Sequence, residues 1–142
     1  MATRRFRQSP RFSDLAALLA LCLALAGCSA LTPQSPRDGR IHHVVLLWLK
    51  TPGDERARRE ILAASEQLRR IPGVMTMTSG VVVASDRPIV DDSFDVGLTL
   101  TFRDQQALER YLEHPLHRQL VREVIRPRVA RIRVHDYREI PR

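Results

Sequence analysis

Cysteine is scarce in this sequence and is confined to its beginning. The 142-residue chain has two cysteines, Cys22 and Cys28, and none follows position 28. A disulfide framework, a thiolate metal site and a cysteine nucleophile are therefore excluded from the rest of the chain. A single domain of about a hundred residues does not need such staples, because it buries roughly two thirds of the surface that its unfolded chain exposes.

The sequence also lacks a strong charge of one sign outside its first residues. The formal charge is +7, but four of the 23 basic and one of the 16 acidic side chains precede Cys28, which leaves +4 for the remainder. Acidic residues alternate with arginines there, as on an ordinary solvated surface, so nucleic-acid binding is disfavoured. One basic run favours a solvated strand face, with anionic lipid headgroups or another acidic partner as the alternative; it comprises Arg126, Arg128, Arg131 and Arg133.

No apolar run is long enough to cross a bilayer. The longest apolar run, from Leu15 to Ala26, has about a dozen residues, whereas a transmembrane helix needs about 20. Arginines precede this run and small residues follow it, which is typical of a signal peptide. Leu25-Ala26-Gly27-Cys28 resembles the lipobox of bacterial lipoproteins, which implies cleavage before Cys28 and a lipid on its sulfur. An ordinary signal peptide with an accidental cysteine is the alternative.

These features predict an exported protein that acyl chains on Cys28 attach to the membrane of the cell envelope. Ser29 implies, by resemblance to lipoproteins alone, an outer-membrane anchor with the domain facing the periplasm. The general secretory route is favoured over twin-arginine export. We assign residues 1–27 to the signal peptide, residues 28–40 to the lipidated cysteine and a small, polar, proline-bearing tether, and residues 41–142 to one domain.

The domain shows the hydrophobic periods of strands and helices in the order βαββαβ. Strands are predicted over residues 41–50, 74–84, 94–102 and 129–138, with Gly80 as a bulge or a point of close approach. Two helical regions begin after Asp54 and Asp104, and the second ends at Pro127. This order predicts an α+β, ferredoxin-like fold, a four-stranded antiparallel sheet with helices on one face.

The other sheet face would carry Val44, Leu46 and Trp48, which predicts that two copies pack sheet to sheet as a homodimer, a dimeric α+β barrel. The alternative is an apolar edge beneath the long loop.

Four local patterns resemble the stress-responsive A/B barrel (Dabb) family over about residues 41–138. They are His43-Val-Val-Leu-Leu-Trp-Leu-Lys50, Ile71-Pro-Gly-Val74, Asp95-Val-Gly-Leu-Thr-Leu-Thr-Phe102 and Tyr111-Leu-Glu-His-Pro-Leu-His117. The resemblance implies a dimeric α+β barrel with a cavity between sheet and helices, but no single activity, since related barrels include polyketide cyclases and cofactor-free oxidases. Trp48 stands where the family commonly has lysine, and Asp95-Val96-Gly97 offers no histidine, which puts a histidine-rich catalytic site in doubt.

Three residues are the candidates for chemistry. His43 would lie in the cavity as a base near neutral pH, and His117 would be kept neutral at the start of a helix, with Tyr111 orienting a ligand oxygen. The structural alternative has Tyr111 packed in the core and bonded to His43 or a backbone carbonyl, while His114 and His117 cap the helical junction. A metal site is disfavoured, because His42 and His43 face opposite sides and no carboxylate ligand is evident near the other histidines.

Two functions from different classes follow. The favoured hypothesis is a non-catalytic, membrane-anchored domain whose cavity binds a small apolar or aromatic ligand, or whose surface meets a partner protein. The alternative is a small enzyme, polyketide cyclase-like or proton-transferring, that uses His43, Tyr111 and His117 without a cofactor. Convergence of these three side chains within hydrogen-bond reach around an open cavity favours the enzyme, whereas a cavity filled by Leu and Phe excludes it.

Overall fold

A four-stranded antiparallel sheet organises the residues that the structure describes. The computed structural model describes residues 39–140, so the predicted signal peptide, Cys28 and most of the predicted tether lie outside the described residues. The strands are β1 (Ile41–Leu49), β2 (Val74–Val81), β3 (Val96–Phe102) and β4 (Val129–Arg138), in the spatial order β2-β3-β1-β4. This is the predicted βαββαβ arrangement, and the ferredoxin-like fold is confirmed.

The helices begin where the sequence supplies caps. Helix α1 (Glu55–Ser65) starts after Asp54, whose carboxylate accepts bonds from two backbone N–H groups, and it tightens into a 3-10 turn at Glu66–Arg70. Helix α2 (Gln105–Glu113) is capped by Asp104, whose carboxylate accepts a hydrogen bond from the backbone N–H of Ala107. Helix α3 (Pro115–Leu120) continues through a π-helical turn (Val121–Ile125) and a last short turn (Arg126–Arg128).

The core lies between the helices and one face of the two central strands. Residues of β1 and β3 alternate, so that one set points to the helices and is nearly inaccessible to solvent. The largest fully buried side chains are Tyr111, Phe102, Leu47, Ile61, Leu100 and Val96. Gly73 makes the turn into β2 with φ of +100°, and a Cβ there would lie 3.4 Å from that of Ala107, so glycine also allows α2 to approach.

Four local predictions are corrected. The bulge in β2 falls between Val74 and Thr76, whereas Gly80 pairs regularly with Gly97. The second strand ends at Val81, short of the predicted residue 84. The third begins at Val96, because Phe94 turns towards the open sheet face and packs beside Gly97. Pro127 lies inside the last helical turn, since a first-turn proline needs no N–H partner.

The open face of the sheet is partly covered by the chain itself. The guanidinium of Arg131 lies 3.7 Å from the centre of the Trp48 ring, the Phe94 ring meets it edge-on, and the indole N–H donates to Ser93 Oγ. The predicted alternative, an apolar edge beneath the long loop, therefore holds for Trp48. Val44 and Leu46 lie half-buried on the same face.

Candidate functional site

A single cavity contains all three residues that the sequence singled out. It measures about 200 Å³ and lies between the sheet and the second half of the helical layer, with His43, Tyr111 and His117 in its wall. The rest of the wall is aliphatic, including Val45, Leu47, Leu68, Leu98, Leu100, Leu112, Leu120, Val121 and Ile125. It is therefore an apolar chamber with a few polar groups, the usual composition of a small-molecule site.

The edge strand β4 borders this cavity with two half-exposed aliphatic side chains. Ile132 and Val134 are 42% and 45% exposed and also line the cavity. They pair with Leu47 and Val45 of β1, so they lie on the helix-facing side of the sheet. We take this edge as the mouth of the cavity.

His43 is held by a carboxylate from the neighbouring strand. Register places it opposite Asp136 in β4, and its Nδ1–H donates to Asp136 Oδ1 over 2.6 Å. An ionised carboxylate only accepts, so this bond puts the proton on Nδ1 and leaves Nε2 for the cavity. The His43 side chain is 6% exposed and that of Asp136 is 45% exposed.

His117 is oriented by the helix junction that Pro115 creates. The side chain of His114 accepts from the backbone N–H of Leu116, which caps α3, and His117 Nδ1 donates to the Leu112 carbonyl over 3.0 Å. That bond leaves the lone pair of His117 on Nε2.

Burial keeps the imidazole of His117 neutral. It lowers the pKa of His117 below its usual value, nearby His43 lowers it further, and the bond to Leu112 opposes both effects. Burial therefore favours the neutral state that was predicted for His117 from its place at the start of a helix.

Tyr111 joins the two histidines through ring contacts. Its ring centre lies 4.6 Å from that of His117 and 6.1 Å from that of His43, and Phe102 packs against its other side at 5.0 Å. Burial raises the pKa of the phenol well above its usual value, so the group stays a neutral O–H donor. Tyr111 packs in the core as the structural alternative predicted, but within residues 39–140 its hydroxyl makes no hydrogen bond to His43 or to a carbonyl.

Asp136 is the residue of this cluster that the sequence analysis missed. Ile132 and Val134 lie on the helix-facing side of β4, and Asp136 follows them at the same period of two. That signal was available, but pairing with His43 also required the register of two strands 93 positions apart in sequence.

The other histidines lie apart from the cavity. His42 is on the open face, where it stacks on Tyr137 with ring centres 4.7 Å apart, His114 caps α3, and His135 is exposed on β4. Within the described part of the chain, no three His, Cys, Asp or Glu side chains form a group that could hold a metal ion. In that same part, no helix has the length and apolar character needed to span a membrane.

Asp95, which stands where the sequence analysis noted the missing histidine, anchors a turn. Its carboxylate accepts from the backbone N–H groups of Leu49 and Gly53 and lies 3.5 Å from the Arg58 guanidinium. It does not line the cavity. The candidate site therefore contains two histidines, a tyrosine and Asp136.

Comparisons with known proteins agree with this architecture. The model of the Stress responsive A/B Barrel Domain (Dabb) family matches residues 41–139. No functionally curated protein matches the sequence.

Solved structures with the same fold come from bacteria and a plant. A Dabb family protein with a ferredoxin-like fold from Mesorhizobium loti is 29% identical, with a TM-score of 0.60 over 72% of this chain and 99% of that one. A dimeric ferredoxin-like protein of unknown function from Bacteroides fragilis is 19% identical, with a TM-score of 0.59 over 71% and 97%. The hydroxynitrile lyase of Passiflora edulis is 18% identical, with a TM-score of 0.62 over 72% and 94%. At such identities the last two show the fold alone.

Proposed function

This chain belongs to the stress-responsive A/B barrel (Dabb) family, and we propose that its domain binds a small aromatic or apolar molecule bearing an oxygen. The observation that carries this proposal is the cavity of about 200 Å³ with aliphatic walls and one polar cluster. An apolar cavity of about 150 Å³ can hold benzene. The volume therefore suits a single ring or a short branched chain, whose oxygen would meet the Tyr111 hydroxyl or an imidazole.

Blocking the mouth of the cavity tests this proposal. In Val134→Trp a bulky ring replaces a half-exposed side chain in the cavity wall, and in the control Val83→Trp the same change falls on a loop residue that is 81% exposed. We expect calorimetry to detect binding of benzaldehyde or phenol to the full-length wild type and to the control, and no binding to Val134→Trp. Equal binding by both variants would place the ligand elsewhere.

The same cavity supports a second candidate function, a cofactor-independent enzyme. His43, Tyr111 and His117 all line the open chamber, and the ring centre of Tyr111 lies 4.6 Å from that of His117 and 6.1 Å from that of His43. His117 is neutral with its lone pair on Nε2, and Tyr111 remains a neutral donor. One neutral acceptor and one neutral donor in an apolar cavity are the groups that a proton transfer beside a carbonyl needs.

In this reaction His117 Nε2 takes a proton from the carbon next to a ketone. The C–H electrons form the carbon–carbon double bond of an enolate, whose oxygen accepts a hydrogen bond from Tyr111. Return of the proton to the same carbon exchanges hydrogen, and return to another carbon isomerises the compound. When the enolate carbon instead attacks a second carbonyl of the same molecule, a ring closes, and the new alkoxide oxygen takes the proton from the His117 imidazolium.

Deuterium exchange provides the test for catalysis. Full-length protein is incubated in D₂O with a panel of aromatic ketones, and deuterium beside the carbonyl is counted by mass spectrometry. We expect His117→Ala to lose the exchange at an unchanged melting temperature, while His135→Ala, on the opposite sheet face, retains it. Equal rates with wild type and His117→Ala would contradict the enzyme function.

The setting of this domain is part of the proposal. Cleavage before Cys28 and acylation of that cysteine would anchor the domain in the envelope, facing the periplasm, and Cys28→Ser would abolish metabolic labelling with palmitate and release the protein from the membrane fraction. A homodimer is supported by the dimeric Bacteroides fragilis neighbour and by half-buried Val44 and Leu46 on the open face. Light scattering should give twice the chain mass, and Val44→Asp should reduce it to one.

A further inference from the structure

Asp136 borders a second hollow, separate from the ligand cavity. A groove of about 340 Å³ lies between the ends of β1 and β4 and helix α2, and its wall includes Ile41, Glu109, Asp136 and Arg138. Asp136 lines the groove but not the cavity, and His43 lines the cavity but not the groove. The hydrogen bond between them therefore crosses the wall that separates the two hollows.

The two ends of this pair differ sharply in exposure. His43 is 6% exposed among aliphatic side chains, whereas Asp136 is 45% exposed. On the groove side, Glu109 and Arg138 supply further charge, and Arg138 donates to Gln105 Oε1. On the cavity side the titratable groups are His117 and Tyr111. The His43 side chain is thus shielded from solvent, whereas that of Asp136 is exposed to it.

We propose that the His43–Asp136 pair is a proton port, which exchanges protons between the ligand cavity and water in the groove. This inference rests on the proton-transfer function proposed for the cavity. A ligand that fills the mouth at Ile132 and Val134 would leave this pair as a path for protons between the cavity and water. Asp136 acts through His43 without touching the ligand, so it is a positioning residue.

The steps balance in both directions. A proton accepted at His43 Nε2 makes an imidazolium, which breaks its Nδ1–H bond as that proton passes to the Asp136 carboxylate. The resulting carboxylic acid releases the proton to groove water, and the imidazole is left neutral with its proton on Nε2. When Nε2 then gives this proton to a ligand oxygen, Nδ1 is recharged from water through Asp136.

The exchange rate of the Nδ1 proton tests the port without any substrate. In full-length protein in detergent solution, the signal of this proton is identified by its loss in His43→Gln, and its exchange with water is measured by magnetisation transfer. We expect Asp136→Asn, which keeps an acceptor but cannot carry the proton, to slow the exchange about tenfold or more. The control Glu139→Gln instead removes a carboxylate that lies 3.6 Å from His42, so the His43 Nδ1 proton should exchange at the wild-type rate in this variant. Equal rates in wild type and Asp136→Asn would overturn the proposal.

Benzene provides a second measurement on the unaltered protein. If protons travel through the groove, saturating the cavity with benzene leaves the exchange rate of the Nδ1 proton unchanged; suppression of exchange by bound benzene would overturn the proposal. Should benzene not bind, the Asp136→Asn comparison still decides the port, and calorimetry with benzaldehyde or phenol decides the binding function separately. Should no ketone gain deuterium, the enzyme function fails independently of both measurements.

Discussion

The two faces of the sheet use similar side chains for opposite purposes. His42 and His43 are neighbours in sequence, yet His42 lies half-buried on the open face, stacked on Tyr137, while His43 is buried in the cavity wall and bound to Asp136. Arg131 and Arg133 of β4 lie on the open face, where Arg131 covers Trp48, and the aliphatic residues Ile132 and Val134 of the same strand border the cavity. The period of two in a strand, more than residue type, thus separates surface from site.

The largest expected difference between the faces is in stability. Phe102 is fully buried on the helix side, against Tyr111, whereas Val44 is half-buried on the open side. Phe102→Ala should lower the free energy of unfolding by about 3–5 kcal/mol. Val44→Ala should cost about 1 kcal/mol or less. Chemical denaturation measures both values, and equal losses would mean that the open face is packed as tightly as the core.

The neighbouring histidines His42 and His43 give the next expected difference, which is in catalytic rate. We expect His43→Ala to reduce deuterium exchange into an aromatic ketone about a hundredfold, because it removes an acid–base group from the cavity. His42→Ala changes the other face and should leave the rate near that of wild type. A comparable loss in both variants would show that position on the sheet does not separate their roles.

The pH dependence of stability sharpens the contrast for His117. Its pKa is lowered in the folded protein, so as pH falls through the ordinary value of about 6.5 the unfolded chain takes up a proton that the folded chain refuses. The free energy of unfolding should therefore decrease with falling pH from there, until the lowered pKa of the folded state is reached. His117→Gln should flatten this part of the curve in denaturation series; an unchanged slope would assign it to other groups.

The smallest effect is expected at Trp48. Arg131→Gln removes the cation from above the ring, which should cost about 0.5–1 kcal/mol of stability. Because Trp48 is the one tryptophan of the chain, its fluorescence also reports the change directly. An unaltered emission spectrum would indicate that the guanidinium does not rest on the indole in solution.

Much of this architecture was predictable from local patterns. Asp54 and Asp104 precede apolar residues at helical spacing and both cap helices, and the alternation in residues 96–102 predicted the inner face of β3. The family was predicted from four short motifs and is confirmed over residues 41–139. The bulge at Gly80 was wrong, because a glycine in a strand is compatible with both a bulge and regular pairing, and only the neighbouring strand decides.

The sequence predicted which residues line the candidate site but not which partners they contact. His43 was chosen for its residue type and for the strand face on which it lies, and Tyr111 and His117 were chosen for their residue types. The structure brings all three to one cavity. The partner of His43 was missed, because the sequence alone does not distinguish Asp136 from any other charged residue on a solvated strand. The covering of Trp48 by Phe94 and Arg131 was likewise hidden, because it joins a loop to a strand far along the chain.

The sequence by itself determined the order of strands and helices, the inner and outer faces of each strand and the predicted export signal, because periodicity, capping and apolar run length are local properties. Tertiary structure alone decided that the cavity stays open, that His43 meets Asp136 across two strands, and that burial lowers the pKa of His117. These features depend on strand register and on how side chains from distant segments pack together, and neither can be inferred from a single segment of the sequence.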